Sequence, residues 1–194
     1  SEITKYSNDT RLLSDYYVGQ KIGEIWGLVS NGLFQSDDEA AKWDQKAING
    51  GHWSAGDAKL EDIDGDGKVT WGEGTVDKPG DRKILGSSTP RYAYGITAGA
   101  DYKGFDFEMF WQGIGKRDYF GGWGGAQFWG FTDEWCTPQT TSLDYWTEDN
   151  RDAYFPKLHH YSVNGSNHNT SSRYMLNAAY LRLKNVTLGY TVPS

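Results

Sequence analysis

The stretch from Arg91 to Gly115 constrains the fold more than any other part of the chain, because its side chains alternate with a period of two on both sides of a short turn. Lys103-Gly104 is suited to a two-residue hairpin turn, in which glycine supplies the positive φ angle. Tyr102 then lies opposite Phe105, and this pair fixes the register of the whole hairpin. The expected apolar pairs are Ala100–Phe107, Ala98–Met109 and Ile96–Trp111, and the expected polar pairs are Asp101–Asp106 and Gly99–Glu108.

Each arm of this hairpin is about ten residues long, and a tilted strand needs roughly 9–11 residues to cross the hydrocarbon layer of a bilayer. A membrane-spanning β-barrel and a soluble β-sandwich both produce such alternation, so the hairpin alone leaves both open. Asp101 and Asp106 would repel one another in a dry space. They favour a water-filled lumen or a bound cation on the polar face.

The composition describes a β-rich chain with unusually many aromatic side chains. The 194 residues include nine Trp, 13 Tyr, eight Phe and 25 Gly, while only 37% are apolar. Aromatic residues in such numbers are typical of interfaces and ligand-binding surfaces. The net charge of -7 and the lack of any basic run argue against nucleic acid as a partner. No run of 18 apolar residues predicts a transmembrane helix, and the single cysteine, Cys136, cannot form an internal disulfide.

The segments before the hairpin give weaker signals. The glycine-containing stretch 17–34 favours a strand, and Ser36 begins a capping box that predicts a short helix to about Lys46. The segment 76–90 is interpreted as a linker. After the hairpin, a short helical stretch is expected near Leu143.

The C-terminal segment 180–193 alternates again. Val186, Leu188 and Tyr190 share one face, and Arg182 and Lys184 are expected to continue that face beyond the apolar band. The pattern is that of a second bilayer-crossing strand with basic residues at its rim.

Residues 62–73, with the sequence DIDGDGKVTWGE, match the twelve-residue calcium-loop template position by position. Alternate carboxylates on a tightly turning chain converge on one point, and calcium requires six or more oxygen ligands. Asp77 or Asp81 are alternatives to the ligand at the twelfth position, and a solvated acidic turn is the alternative to a metal site. The candidate ligands are Asp62, Asp64, Asp66, the carbonyl of Lys68, Thr70 and Glu73.

The glycine-rich loop 117–135 carries aromatic residues that could stack on sugar rings or bases, or pack against neighbouring loops, and packing is the favoured interpretation. The candidates for contact with a substrate are Trp123, Phe128, Trp129 and Trp135. We expect His159, His160 and His168 to be exposed and not to bind a metal. Asp133 and Glu134 are sequence neighbours that do not face one another across a substrate, so no enzymatic activity is expected.

Four segments together resemble the C-terminal part of the barrel in SusC-like (SusC/RagA) TonB-dependent outer-membrane transporters of the Bacteroidetes. They are YYVGQKIGEIWG with GLFQS, DIDGDGKVT with GDRKILG, STPRYAYGITAGADYKGFDFEMFWQG, and YLRLKNVTLGYTVP. The resemblance implies a plug domain inside a 22-stranded transmembrane barrel, a SusD-type surface lipoprotein as lid, and import of glycans or peptides with energy relayed by TonB.

On this resemblance, residues 1–194 are a partial C-terminal segment of the barrel, without the plug domain and the final strands. The expected fold is all-β, with antiparallel strands and long extracellular loops that contain short helices. The expected location is the outer membrane of a Gram-negative bacterium, and the expected partners are the lipoprotein, TonB through the absent N-terminal part, membrane lipid and an oligosaccharide or peptide substrate. The alternative is a secreted carbohydrate-binding module stabilised by calcium. The tight turn at Lys103-Gly104, set against long loops at 50–90 and 116–175, favours the transporter.

Overall fold

The computed structural model describes residues 1–48, 50–130, 137, 139–159 and 167–192. Its fold is all-β with antiparallel pairing, which confirms the predicted fold class. The strands are β1 (Glu24–Leu28), β2 (Ser30–Leu33), β3 (Ala58–Leu60), β4 (Arg82–Ser87), β5 (Arg91–Tyr102), β6 (Phe105–Lys116), β7 (Asp118–Phe120), β8 (Met175–Asn177) and β9 (Tyr180–Tyr190). Short helices are α1 (Asp37–Lys42) and α2 (Ala126–Trp129), with 3₁₀ turns at Gly121–Gly124, Thr140–Ser142 and Ser172–Tyr174.

The longest strands form one three-stranded sheet in the order β5-β6-β9. Three smaller antiparallel pairs, β1-β4, β2-β3 and β7-β8, lie among the long connecting segments. The large sheet is open, with β5 and β9 as its two edges. It is therefore a partial segment of a sheet and not a closed barrel.

The predicted hairpin is confirmed pair by pair. Tyr102 lies opposite Phe105, and every apolar and polar pair expected from the turn is present in the β5-β6 ladder. Lys103 and Gly104 have φ angles of 47° and 85°, as a tight turn with two left-handed residues requires. The register follows from this turn because β-strand side chains repeat every two residues.

One face of the three-stranded sheet is apolar and uncovered. Tyr102 at the turn end is 70% exposed, and Leu188 on β9 is 73% exposed. Such a surface is far more apolar than water-facing sheets normally are. Its exposed residues are Tyr92, Tyr94, Ile96, Tyr102, Phe105, Phe107, Leu181, Leu183, Val186, Leu188 and Tyr190.

The predicted face of Val186, Leu188 and Tyr190 is confirmed, but the predicted phase is wrong for the residues that precede Asn185, because a β-bulge interrupts the ladder there. Asn185 pairs with Phe110, but the next residue of β6, Trp111, pairs with Leu183. Lys184 is the extra residue of the bulge, and it shifts the alternation by one position. Leu183 therefore joins the apolar face, whereas Arg182 lies opposite Gln112 on the polar face.

The buried core lies among the connecting segments and not on the large sheet. One cluster joins Leu28, Ile48, Leu60 and Val69, with Trp43, Trp53 and Trp71 packed around it. A second joins Phe120, Trp129, Phe155 and Tyr174. The long loops thus form a packed layer beyond the Arg91 end of the β5-β6 hairpin.

Two predictions for the N-terminal half are corrected. The segment 76–90 is not only a linker, because it contains β4, which pairs with β1. The predicted helix is present, and the hydroxyl of Ser36 accepts a hydrogen bond from the Glu39 N–H at 3.1 Å. It ends at Lys42, since Trp43 is extended and its indole donates to the carbonyl of Leu60 at 3.0 Å.

Among the described residues, no helix combines the length and the apolar character needed to cross a membrane.

Candidate functional site

The acidic loop predicted to bind calcium lies between β3 and β4. Asp62 anchors it, since its two carboxylate oxygens accept hydrogen bonds from the N–H groups of Gly65 at 2.7 Å and Gly67 at 2.8 Å. Asp64 and Asp66 each accept a bond from the N–H group two residues further on. These local bonds wind the chain into a tight turn, as glycines with positive φ at positions 65 and 67 allow.

Asp81, at the entrance to β4, closes the site from outside the loop. It is fully buried, and its two oxygens accept bonds of 2.6 Å from the N–H groups of Ile63 and Thr70. A carboxylate oxygen of each of Asp62, Asp64 and Asp81 lies within 4.8 Å of the others. The fold therefore brings together two carboxylates of the loop template and one that lies eight residues past its end.

The remaining template residues are not part of this group. Glu73 forms an ion pair of 2.6 Å with Lys78, and hydrogen bonding to Glu73 raises the pKa of Lys78. Asp77 pairs with Arg11 at 3.1 Å. Thr70 accepts a bond from the N–H of Gly72 through its hydroxyl, and Asp66 and Lys68 are exposed on the turn.

The residues at this site fit a hard divalent cation. Calcium binds oxygen at 2.3–2.6 Å, so two ligands on opposite sides of one ion are about 5 Å apart. The spacing of Asp62, Asp64 and Asp81 lies within that limit. Three carboxylates held this closely would repel in the absence of a cation.

The candidate aromatic residues divide into packed and exposed groups. Trp129 is 3% exposed and belongs to the core cluster with Phe155 and Tyr174, and Phe128 packs against the same cluster. Trp123 is 52% exposed and rests edge-on against Tyr119 and Phe120. Trp135 lies outside the described residues, as do Cys136, Asp133 and Glu134.

The prediction that the histidines are exposed is wrong for two of them. His168 stacks on Trp129 with ring centroids 4.1 Å apart, and burial lowers its pKa to about 4. His159 contacts the buried carboxylate of Asp57, which also accepts a 2.8 Å bond from the amide of Asn167. His160 lies outside the described residues.

Comparison with known proteins gives two relatives. The chain is 25% identical over 181 residues to TonB-dependent receptor P3 of Formosa agariphila, a match that covers 90% of this chain and 16% of the relative. It is 27% identical over 190 residues to TonB-dependent receptor P26 of the same organism, covering 96% of this chain and 17% of the relative. No family model matches the chain.

The chain thus spans about one sixth of the length of the curated relatives it matches. Within that part the similarity runs along nearly the whole chain, and it agrees with the resemblance that the four sequence segments indicate. The comparisons thus show that the chain is similar, over nearly its whole length, to part of two TonB-dependent receptors.

Proposed function

We propose that this chain is a barrel segment of a SusC-like TonB-dependent transporter, which imports oligomeric nutrients across the outer membrane of a Gram-negative bacterium. The observation that carries the proposal is the β5-β6-β9 sheet, whose apolar face is exposed along its whole length. A secreted carbohydrate-binding module would leave this face in water, where it would promote aggregation. A bilayer is the environment in which such a face is stable.

The dimensions of the apolar face match a bilayer. Ten residue steps separate Tyr92 from Tyr102, which at about 3.3 Å per step is roughly 33 Å along the strand. With a tilt of about 40° the rise is roughly 25 Å, the height of the apolar band on outer-membrane barrels.

Aromatic residues mark both ends of this band, as they do on outer-membrane barrels. At the turn end, the rings of Phe105 and Tyr190 have centroids 4.5 Å apart, beside Tyr102. Tyr92 and Tyr94 lie at the other end of β5.

The opposite face supports an aqueous lumen. Asp101 pairs with Asp106, and Glu108 pairs with Gly99 and Thr187. Carboxylates directly opposite one another are tolerated where water solvates both of them. If the interior behind this face were dry protein instead of water, burying the two carboxylates would cost free energy.

The proposed cargo is a glycan, with a peptide as the alternative that the same architecture serves. The proposed partners are a SusD-type surface lipoprotein and TonB, which would contact the remainder of the protein.

We place the long loops 50–90 and 116–175 outside the cell, because they lie at the opposite end of the hairpin from the Lys103-Gly104 turn. Trp123, with its exposed ring, is the described candidate in these loops for stacking on a sugar.

We further propose that calcium stabilises the outer layer through Asp62, Asp64 and Asp81. Calcium needs further oxygen ligands, and the candidates for them are the side chains of Asp66 and Thr70 and the carbonyl of Lys68. The metal would fasten the loop to the start of β4, which continues through Pro90 into β5. The role of the ion would be structural, because its three carboxylate ligands would link the loop to the start of β4 within the loop layer.

Growth of a deletion strain tests the transport function. Loss of growth on a single polysaccharide, restored by the complete gene, is the expected result. Growth on every glycan with loss of oligopeptide uptake would overturn the glycan cargo and leave the transporter class intact. Recovery of the native protein in the soluble fraction would overturn the transporter class itself.

A further inference from the structure

A cavity lined by cationic side chains lies where β4 leads into β5. Its volume is about 340 Å³, and it is bounded by β1, β4 and the Arg91 ends of β5 and β6. Its polar and aromatic lining residues are Lys21, Glu24, Ser87, Arg91, Tyr92 and Lys116.

The cations of this cavity have no carboxylate partners among the described residues. The four ion pairs of the described chain include none of Lys21, Arg91 and Lys116. Glu24 is the lining carboxylate, and its oxygens accept bonds from the hydroxyl of Tyr17 at 2.7 Å and the N–H of Lys21 at 3.0 Å. Three cations and one carboxylate leave a local charge of +2 in a chain whose net charge is -7.

Residues just outside the cavity do not cancel this charge. Asp118 directs one oxygen to the N–H of Ser87 at 2.9 Å. Arg117, beside it, donates to the carbonyl of Ser88 at 3.2 Å and adds a further positive charge.

Two further observations indicate an anion. Arg91 and Lys116 lie directly opposite one another in the β5-β6 ladder, and like charges in that position repel. In addition, the hydroxyl oxygen of Ser87 is buried and has no hydrogen-bond partner, which is unusual for a buried polar atom. An anion with several oxygens would relieve the repulsion, and rotation of the Ser87 side chain towards the cavity that it lines would let this hydroxyl donate to it.

We propose that this cavity binds a phosphate group. Its donors come from three separate segments of the chain, at residues 21, 87–91 and 116. A tetrahedral phosphate can accept from all three directions, whereas a planar carboxylate offers only two oxygens. The guanidinium of Arg91 suits phosphate because its donors form a planar fork.

The phosphate can come from a lipid headgroup or from a soluble ligand. Tyr92 lines the cavity and lies at the end of the apolar face, where headgroups would be, whereas Arg91 and Lys116 lie at the end of the polar face, which soluble ligands would reach. The lipid source rests on the proposed membrane location. The anion site itself does not depend on that proposal.

The test uses the full-length protein purified in detergent, titrated with inorganic phosphate at constant ionic strength. The R91Q/K116Q variant keeps much of the side-chain volume and removes two positive charges. We expect its affinity for phosphate to fall about a hundredfold or more, since two charge-assisted hydrogen bonds are lost. The K5Q/K46Q variant removes the same charge from exposed positions outside the cavity and should bind as the wild type does.

Native mass spectrometry of the same preparations distinguishes the two sources. A phosphorylated lipid retained by the wild type and lost from R91Q/K116Q would assign the site to a headgroup, whereas phosphate binding without a retained lipid would assign it to a soluble ligand. Two single variants provide a second test if R91Q/K116Q does not fold: Lys21→Gln should weaken binding by about tenfold, and Ser87→Ala by about threefold. Absence of both phosphate binding and a retained lipid in the wild type, or equal affinity in the cavity and control variants, would overturn the proposal.

Discussion

At the scale of single residues, the acidic loop shows how the fold adds a side chain from outside a local motif to the carboxylates within it. The sequence template places the last ligand at Glu73, but that carboxylate pairs with Lys78, and Asp81 takes its place beside Asp62 and Asp64. The template describes only twelve contiguous positions, so it cannot include a carboxylate that follows them, such as Asp81 just before β4. Asp81 was among the alternatives because it is a nearby carboxylate, and its burial is visible only in the fold.

Calcium titration of the chelator-treated full-length protein tests this ligand set. Asp81→Asn should weaken calcium binding by about tenfold or more, because it removes a buried anionic ligand. The same substitution should lower the free energy of unfolding of the metal-free protein by about 1–3 kcal/mol. An amide has one oxygen and cannot accept both N–H bonds that the two oxygens of Asp81 accept. Asp77→Asn and Glu73→Gln are the matched controls, and both should retain the affinity of the wild type. Absence of any heat of calcium binding in the wild type would contradict the assignment. Loss of binding in Glu73→Gln together with normal binding in Asp81→Asn would also contradict it.

Two tryptophans of the glycine-rich loop should respond differently to truncation. Trp129→Ala removes a buried ring from the core cluster and should reduce the free energy of unfolding of the loop layer by about 3–5 kcal/mol. Trp123→Ala removes a ring that is half exposed and should cost less than about 1.5 kcal/mol. A urea titration in which limited proteolysis reports the unfolded fraction of the loops would measure both free energies. Equal costs would show that Trp123 is a packing residue and would remove it as a stacking candidate.

His168 should make the loop layer sensitive to acid. Burial lowers its pKa from an ordinary value of 6.5 to about 4, so the folded state binds this proton less readily than the unfolded state does. Stability is therefore fully present above about pH 6.5 and falls as the pH drops towards 4, by at most about 3 kcal/mol. Unfolding of the wild type and His168→Gln between pH 7 and 4 would isolate this contribution, with the exposed His52→Gln as control. A pH dependence unchanged by His168→Gln would refute the prediction.

At the scale of secondary-structure elements, the hairpin was predictable because its information is local. Lys103-Gly104 sets the turn, and the register of both arms follows from it. The strand β4 was missed because the sequence RKILGS does not alternate, and its partner β1 lies more than fifty residues earlier. The bulge at Lys184 was missed for a similar reason, since a bulge depends on the neighbouring strand and not on the strand's own pattern.

Substitutions on the two faces of β6 should have opposite consequences. Phe107→Arg places a charge on the apolar face two residues from its turn end and should destabilise the protein in a bilayer by about 1–3 kcal/mol, between the cost at the midplane and that at the interface. Glu108→Gln changes a side chain on the polar face and should be nearly neutral. Unfolding of the full-length protein in lipid vesicles would measure both. A Phe107→Arg variant as stable as the wild type would mean that this face does not contact lipid.

At the scale of the whole molecule, the chain divides into a sheet with an uncovered apolar face and a layer of loops that has its own buried core. The sheet carries the uncovered apolar face, and the layer contains the aromatic core clusters and the acidic loop. The sequence indicates the sheet through its period of two. The packing of the layer depends on contacts between distant segments, such as the bond from the amide of Asn167 to Asp57, that no local pattern predicts.

We propose that the β5-β6-β9 sheet faces lipid on one side and water on the other, a claim that site-directed spin labelling can test. In full-length protein from which Cys136 has been replaced, single labels along β6 and β9 would be exposed to a lipid-soluble and a water-soluble relaxation agent. We predict that labels at positions 105, 107, 109 and 111 contact lipid and those at 106, 108 and 112 contact water. In β9 the phase should change at Lys184, so that positions 181, 183, 186 and 188 contact lipid while 182 contacts water. Equal accessibility along each strand to both agents, or lipid contact at positions 182 and 184 in place of 181 and 183, would contradict the claim.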